Sequence, residues 1–202
     1  WKHANCQLVT VVGIVMHWND ELAKAQTVCP LCKDLERDFP SFAFSIATGI
    51  GKTRLMGACI AYLYLKKGIR HFFVLAPNLT LYEKLIRDFG DPSYEKYVFK
   101  GISEFVHNQP RIITGDNYEQ ARGLFSETEI QINVFNISKF NKDSKEDKKG
   151  EPRMKRLSEY LGQSYFKYLA NLDDLVILMD EAHRYHADAS RKAINELRPI
   201  LG

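Results

Sequence analysis

Lys52 and Thr53 follow two glycines in the run Ala47-Thr48-Gly49-Ile50-Gly51-Lys52-Thr53, with Arg54 next. That order of residues suits an anion with several oxygens. Gly49 and Gly51 let the backbone turn so tightly that successive N–H groups point at one place. A helix starting here adds its own free amides and the positive end of its dipole. The Lys52 ammonium can reach the β- and γ-phosphates of a nucleotide, and the Thr53 hydroxyl can be offered to Mg²⁺. Thr48, Gly49, Ile50, Gly51, Lys52, Thr53 and Arg54 are therefore the candidate nucleotide-binding residues, with ATP and Mg²⁺ as the implied cofactors. The strict phosphate-loop pattern wants glycine where this chain has Ile46. The alternative is a glycine turn between a strand and a helix with no ligand.

A second group lies far downstream, in Leu175-Val176-Ile177-Leu178-Met179-Asp180-Glu181-Ala182-His183. Five apolar residues without alternation fit a strand buried on both faces of a parallel sheet. Two carboxylates stand at its carboxyl end, where open α/β sheets bind ligands. Asp180 is the candidate Mg²⁺ ligand beside Thr53, and Glu181 the candidate for polarising an attacking water. Mg²⁺ and Lys52 would together offset charge on a transferred phosphoryl group. His183, just beyond, could report phosphate state to a neighbouring surface. Lys52, Asp180, Glu181 and His183 form the candidate catalytic set. Taken alone, acids followed by Ala-His also read as the start of a helix; the glycine loop upstream weighs against that.

The elements needed to position these groups can be read from pattern. Phe42 to Ile46 predicts a strand entering the glycine turn. Leu55 to Leu65 predicts the helix leaving it, ended by Lys66-Lys67-Gly68. Phe72 to Ala76 predicts a strand, then a Pro77-Asn78 turn and an amphipathic helix from Leu81 to Phe89, closed by Gly90-Asp91-Pro92. Arg111 to Gly115 is a strand and turn, Gln131 to Ile137 a strand, and Ser158 to Ala170 a helix. Tyr160, Tyr165, Phe166 and Tyr168 on that last helix read as packing rather than base stacking.

Together these stretches resemble a superfamily 2 helicase or translocase. The closest resemblance is to the ATPase (Res) subunit of type III restriction enzymes and related DNA-translocating motors. It rests on the phosphate loop in its Ala-Thr-Gly-Ile-Gly-Lys-Thr form and on the Asp-Glu-Ala-His box at 180–183. It rests also on Phe72 to Thr80, similar to motif Ia, on Val134 to Asn141, and on Asp180 to Pro199 with Arg184. It covers about 42–202 and implies an α/β fold: a RecA-like P-loop NTPase domain, its mostly parallel sheet carrying helices on both faces.

The resemblance further implies that Pro77, Asn78, Thr80, Ser138 and Lys139 lie on the nucleic-acid side. Backbone contacts by such residues carry no sequence information and suit a stepping machine; ordinary polar loop ends are the alternative. It implies a second RecA-like domain supplying an arginine, nuclease or methyltransferase subunits as partners, and a restriction or antiviral-defence setting with DNA as the favoured track. An RNA helicase, or a nucleotide-gated nucleic-acid-binding scaffold with little turnover, are the competing functions. The adenine-reading glutamine of such motors has only Gln7 and Gln26 as candidates here.

The rest of the chain bounds these expectations. A chain of 202 residues predicts one domain, divided here as an N-terminal segment 1–40 and a RecA-like domain 41–202 truncated before motif III. Starting at Trp1 and lacking the strand motif expected after Pro199, it reads as a fragment that would turn over ATP poorly alone. A net charge of +3 permits nucleic-acid binding without demanding it. No membrane span or secretory signal is visible, so a cytoplasmic setting is expected. Residues 141–156 mix lysines and arginines with acids and read as a charged loop insertion. Cys29-Pro30-Leu31-Cys32, with His3 and Cys6, has the spacing of a His-Cys₃ zinc site. Free thiols in a reducing compartment, or a redox pair, are the other readings. Cys59 falls in the helix after the glycine loop and is expected in the core.

Overall fold

The computed structural model describes residues 39–47, 49–118, 129–136, 157–158, 163–185 and 193–202, together with 23, 26–27 and 30. Leaving the glycine turn, α1 (Lys52–Lys67) ends at Gly68, whose N–H bonds the Leu63 and Tyr64 carbonyls. After it come β1 (His71–Ala76) and α2 (Leu79–Gly90), the latter capped by Asn78, whose side chain accepts from the Leu81 N–H. Turns and the short α3 (Ser103–His107) lead to β2 (Arg111–Thr114) and β3 (Gln131–Asn136). A small antiparallel pair, β4 (Leu157–Ser158) and β5 (Gln163–Ser164), precedes α4 (Tyr165–Ala170). The strand β6 (Leu175–Met179) then runs into a 3₁₀ turn at Ala182–Tyr185.

Four strands form one all-parallel sheet in the order β2-β3-β1-β6. Such a sheet must be covered on both faces, and side-chain alternation along each strand divides the core accordingly. Phe72, Val74, Ile132, Val134 and Val176 face Ile60 of α1 and Leu85 and Phe89 of α2. Phe73, Leu75, Phe135 and Ile177 face Tyr165, Phe166 and Leu169 of α4, Ile194 in the helical residues 193–196, and Leu197 just after them. Each of the larger buried side chains stabilises the fold by about 1.5–3 kcal/mol relative to exposure. This is the expected α/β architecture with helices on both faces.

Two expectations fail. The helix from Ser158 begins only at Tyr165. The apolar residues that reach the core at helical spacing are Tyr165, Phe166 and Leu169, while Leu157 and Ser158 pair across to Gln163 and Ser164. Nor is Phe42 to Ile46 a paired strand. The free edge of β6 is taken by residues 200–202, through a parallel bridge between Val176 and Leu201. That short segment offers Phe42 a single bond, from its N–H to the Gly202 carbonyl at 2.8 Å. Residues 43–45 are exposed and pair with no strand among the described residues.

Inside the second cluster Asn133 is fully buried, yet it is not left without partners. Its amide donates to the Phe72 carbonyl at 3.1 Å, and its oxygen accepts from the Tyr165 hydroxyl. A buried polar group stripped of a partner is costly, so Tyr165→Phe is expected to lower stability by about 1–3 kcal/mol. Urea unfolding would measure this; a midpoint unchanged from wild type would show that the bond contributes nothing net.

Candidate nucleotide site

Gly49 and Gly51 have φ of 87° and 106°, a region closed to most side chains, so the turn into α1 needs glycine at both positions. Gly51 is the N-cap, and no side chain caps the helix. The first amides of α1 therefore stay open for an anion. Ile50 is 73% exposed and Arg54 is exposed, so the loop presents its outer side to solvent. Thr48 lies outside the described residues.

Strand register carries the acids to the same place. Leu75 stands opposite Met179 and Ala76 opposite Asn136, so β1, β3 and β6 end level with one another. Asp180 follows β6, its N–H bonded to the Leu75 carbonyl, and is buried. Glu181 takes a left-handed backbone, φ 55°. For a residue with a side chain this stores about 1–3 kcal/mol of strain, and such strain gathers at functional sites. The turn brings the Glu181 carboxylate to the Lys52 ammonium at 2.5 Å, with about a third of each side chain exposed. Two motifs 129 positions apart thus meet in one ion pair.

The charges act on one another. Hydrogen bonding to Glu181 holds the Lys52 pKa above its ordinary value, against desolvation. Burial, and then the Glu181 charge, push the Asp180 carboxyl up; Lys52 and Lys84 oppose them. Lys84, on α2, was not singled out from sequence. Its ammonium donates to the Thr53 hydroxyl at 2.9 Å and to Asp88 at 2.5 Å. Only its i,i+4 spacing from Asp88 was visible beforehand, and that pattern reads as an ordinary surface pair. A cavity of about 1010 Å³ opens beside the ion pair, between residues 42–46, α1 and the end of β6. Its walls are mostly apolar, with Met56, Cys59 and Tyr62 contributed by α1 and Lys52, Asp180 and Glu181 among the lining groups. Cys59 is half-buried rather than sealed in the core, and burial pushes its thiol pKa up.

Thr53 and Asp180 offer a hydroxyl and a carboxylate, the hard oxygen donors that Mg²⁺ takes. A cation, the Lys84 ammonium, already stands against Thr53, and both Lys52 and Lys84 act on Asp180. The residues fit the metal. His183 lies in the 3₁₀ turn, its side chain outside those described. Pro77, Asn78 and Thr80 follow β1 at the same edge, Asn78 and Thr80 exposed. The Asn78 oxygen is engaged in capping α2, which leaves its amide as the donor for another group. Ser138 and Lys139 lie outside the described residues, as do His3, Cys6, Cys29 and Cys32, Gln7 and the charged stretch 141–156. Among the described residues no cluster of three or more His, Cys, Asp or Glu could hold a metal, and no helix is long and apolar enough to cross a membrane.

Residues 19–201 match the family of type III restriction enzyme Res subunits. A probable type III restriction-modification enzyme Res subunit, HindVIP of Haemophilus influenzae, is 28% identical over 172 residues. That match covers 80% of this chain and 29% of the relative, so the chain spans under a third of the protein it resembles. No solved structure matches.

A carboxyl whose folded pKa is raised binds its proton more tightly folded than unfolded, so it costs stability as pH rises from the unfolded carboxylate range through the folded value. Asp180→Asn removes that cost. Its melting temperature is expected to exceed wild type at pH 7, with the difference shrinking toward pH 3. A lower melting temperature than wild type across the whole range would contradict this.

Proposed function

The chain belongs to the family of type III restriction enzyme Res subunits, and from that premise we propose that it is the first RecA-like domain, 41–202, of an ATP-dependent DNA translocase or helicase. The observation that supports this most directly is the Lys52–Glu181 ion pair, which joins the glycine loop to the acidic end of β6. Thr48, Gly49, Ile50, Gly51, Lys52, Thr53 and Arg54 would hold the nucleotide phosphates, and Thr53 and Asp180 the Mg²⁺. Bound there, Mg²⁺ supplies charge stabilisation to the phosphoryl group being transferred.

The chain's own residues would do the rest. A phosphate entering the loop competes with Glu181 for the Lys52 ammonium. Once Lys52 turns to the phosphate, the Glu181 carboxylate is left to accept a hydrogen bond from the attacking water and orient it. Asp180, level with it at the sheet edge, would offer its carboxylate oxygen to the metal, with the nearby ammonium groups opposing the burial that raises its pKa. Pro77, Asn78, Thr80, Ser138 and Lys139 would meet the nucleic-acid backbone. A second RecA-like domain would close the cleft and add an arginine, and nuclease or methyltransferase subunits would be the partners in a restriction or antiviral-defence system. An RNA track is the second reading, since the polar residues after β1 can bond any phosphate backbone.

ATP hydrolysis by the protein, measured with duplex DNA, single-stranded DNA or RNA, tests the proposal. Duplex DNA is expected to raise turnover, Lys52→Ala to abolish nucleotide binding, and Glu181→Gln to retain binding while lowering turnover by about 100-fold or more, the scale of losing a group that acts in the transition state. Stimulation by RNA alone would transfer the reading to an RNA helicase. Nucleic-acid binding unaltered in Glu181→Gln, with no turnover under any condition, would leave a nucleotide-gated scaffold.

A further inference from the structure

Lys84 stands in the middle of α2, outside every motif that led to the site. Its ammonium makes two contacts, to Thr53 Oγ1 at 2.9 Å and to Asp88 Oδ2 at 2.5 Å. Asp88 lies one helical turn along, and its side chain is 3% exposed. Its other oxygen, Oδ1, is buried with no hydrogen-bond partner. A buried carboxylate stripped of its cation is strongly unfavourable, so Asp88 tethers the Lys84 ammonium where it is. The lysine is thus a fixed positive charge, one hydrogen bond from the hydroxyl that the nucleotide reading assigns to the metal. Its field also reaches Asp180, the other oxygen donor of that reading.

We propose that Lys84 is a positioning residue that competes with the divalent cation: its ammonium holds the Thr53 hydroxyl and must release it for Mg²⁺ to enter with the nucleotide. This rests on the reading of the glycine loop as a nucleotide site. Two cations on one hydroxyl oxygen repel across a half-buried space. The tether to Asp88 means that Lys84 cannot withdraw far, so the repulsion persists after the hydroxyl has turned away. The consequence is a raised Mg²⁺ requirement. Nucleotide without metal, or metal at low concentration, would leave the Thr53–Lys84 contact closed, and loading would depend on both arriving together.

The test is binding of a fluorescent ADP analogue to the protein across a series of Mg²⁺ concentrations and in EDTA. Lys84→Gln retains a donor for Asp88 but no charge. It is expected to lower the Mg²⁺ concentration for half-maximal tightening by roughly three- to tenfold, leaving affinity in EDTA within about twofold of wild type. The double change Lys84→Met with Asp88→Asn removes both charges, guards against an orphaned buried carboxylate, and is expected to shift in the same direction. Lys84→Arg keeps the charge and is expected to keep the wild-type requirement. An unchanged or increased Mg²⁺ requirement in both uncharged variants overturns the proposal. So does an equal loss of affinity with and without metal, which would make Lys84 a phosphate contact instead. Lys52→Ala separates the two levels. Binding by wild type that is lost in Lys52→Ala upholds the nucleotide site and leaves the Lys84 variants to decide. No binding by wild type at any Mg²⁺ concentration removes the site reading and this inference with it.

Discussion

Parallel pairing governs what this domain can do. When β1, β3 and β6 run the same way with His71 level with Gln131 and Leu175, every chain leaves the sheet at the same edge. Asp180 and Glu181 leave β6 there, Pro77 and Asn78 leave β1, and the connection after Asn136 leaves β3. The glycine loop, leading into α1, is tied to the same edge by the Lys52–Glu181 ion pair. A one-residue slip of β6 would turn Phe73's neighbours toward the wrong face and withdraw the carboxylates from Lys52, because side chains alternate along a strand. The apolar matching of two core clusters therefore fixes the chemistry as well as the fold.

Within that frame the site's charges are paired with one another. Lys52 is satisfied by Glu181, and the Thr53 hydroxyl by Lys84. Asp180 is buried at a cost, and Glu181 sits on a left-handed backbone that a glycine would adopt without strain. Such local penalties are tolerated where the surrounding packing over-determines the geometry. Here the register of β6 against β1 supplies that constraint. The arrangement is consistent with a site whose partners exchange when a ligand with its own charges arrives.

What could be read from the residues follows from how local each cause is. The turn at Gly49 and Gly51 was legible because a left-handed backbone depends on the residue itself. The strand β6 was legible because an unbroken apolar run has few other uses, and Tyr165 and Phe166, read as packing aromatics of a helix, are buried. Phe42 to Ile46 was misread because a strand needs a neighbour, and sequence alone does not say that residues 200–202 occupy the β6 edge and bond the chain only at Pro40 and Phe42. The helix expected from Ser158 failed for a related reason, since Leu157 and Ser158 are claimed by a cross-strand pairing that no local propensity encodes. Lys84 was invisible because its reach to Thr53 depends on how α2 lies across α1. Asp88, an acid on an amphipathic helix, gave no sign of being buried. The two main motifs carried the family resemblance, which in turn implied the fold, and the Res-subunit match agrees with it over 19–201.

The same parallel register has a consequence for how the chain reaches its native state. The central strand β1 finds its partners roughly sixty and a hundred residues further on, at β3 and β6, so its pairing is wholly non-local and slow to form. During synthesis His71 to Ala76 emerges well before either neighbour exists. Phe72, Phe73, Val74 and Leu75, all fully buried in the finished sheet, must wait with open edges until β6 arrives. An arrested or prematurely released chain ending before Leu175 would expose this apolar ribbon, and its hazard is self-association rather than mere inactivity.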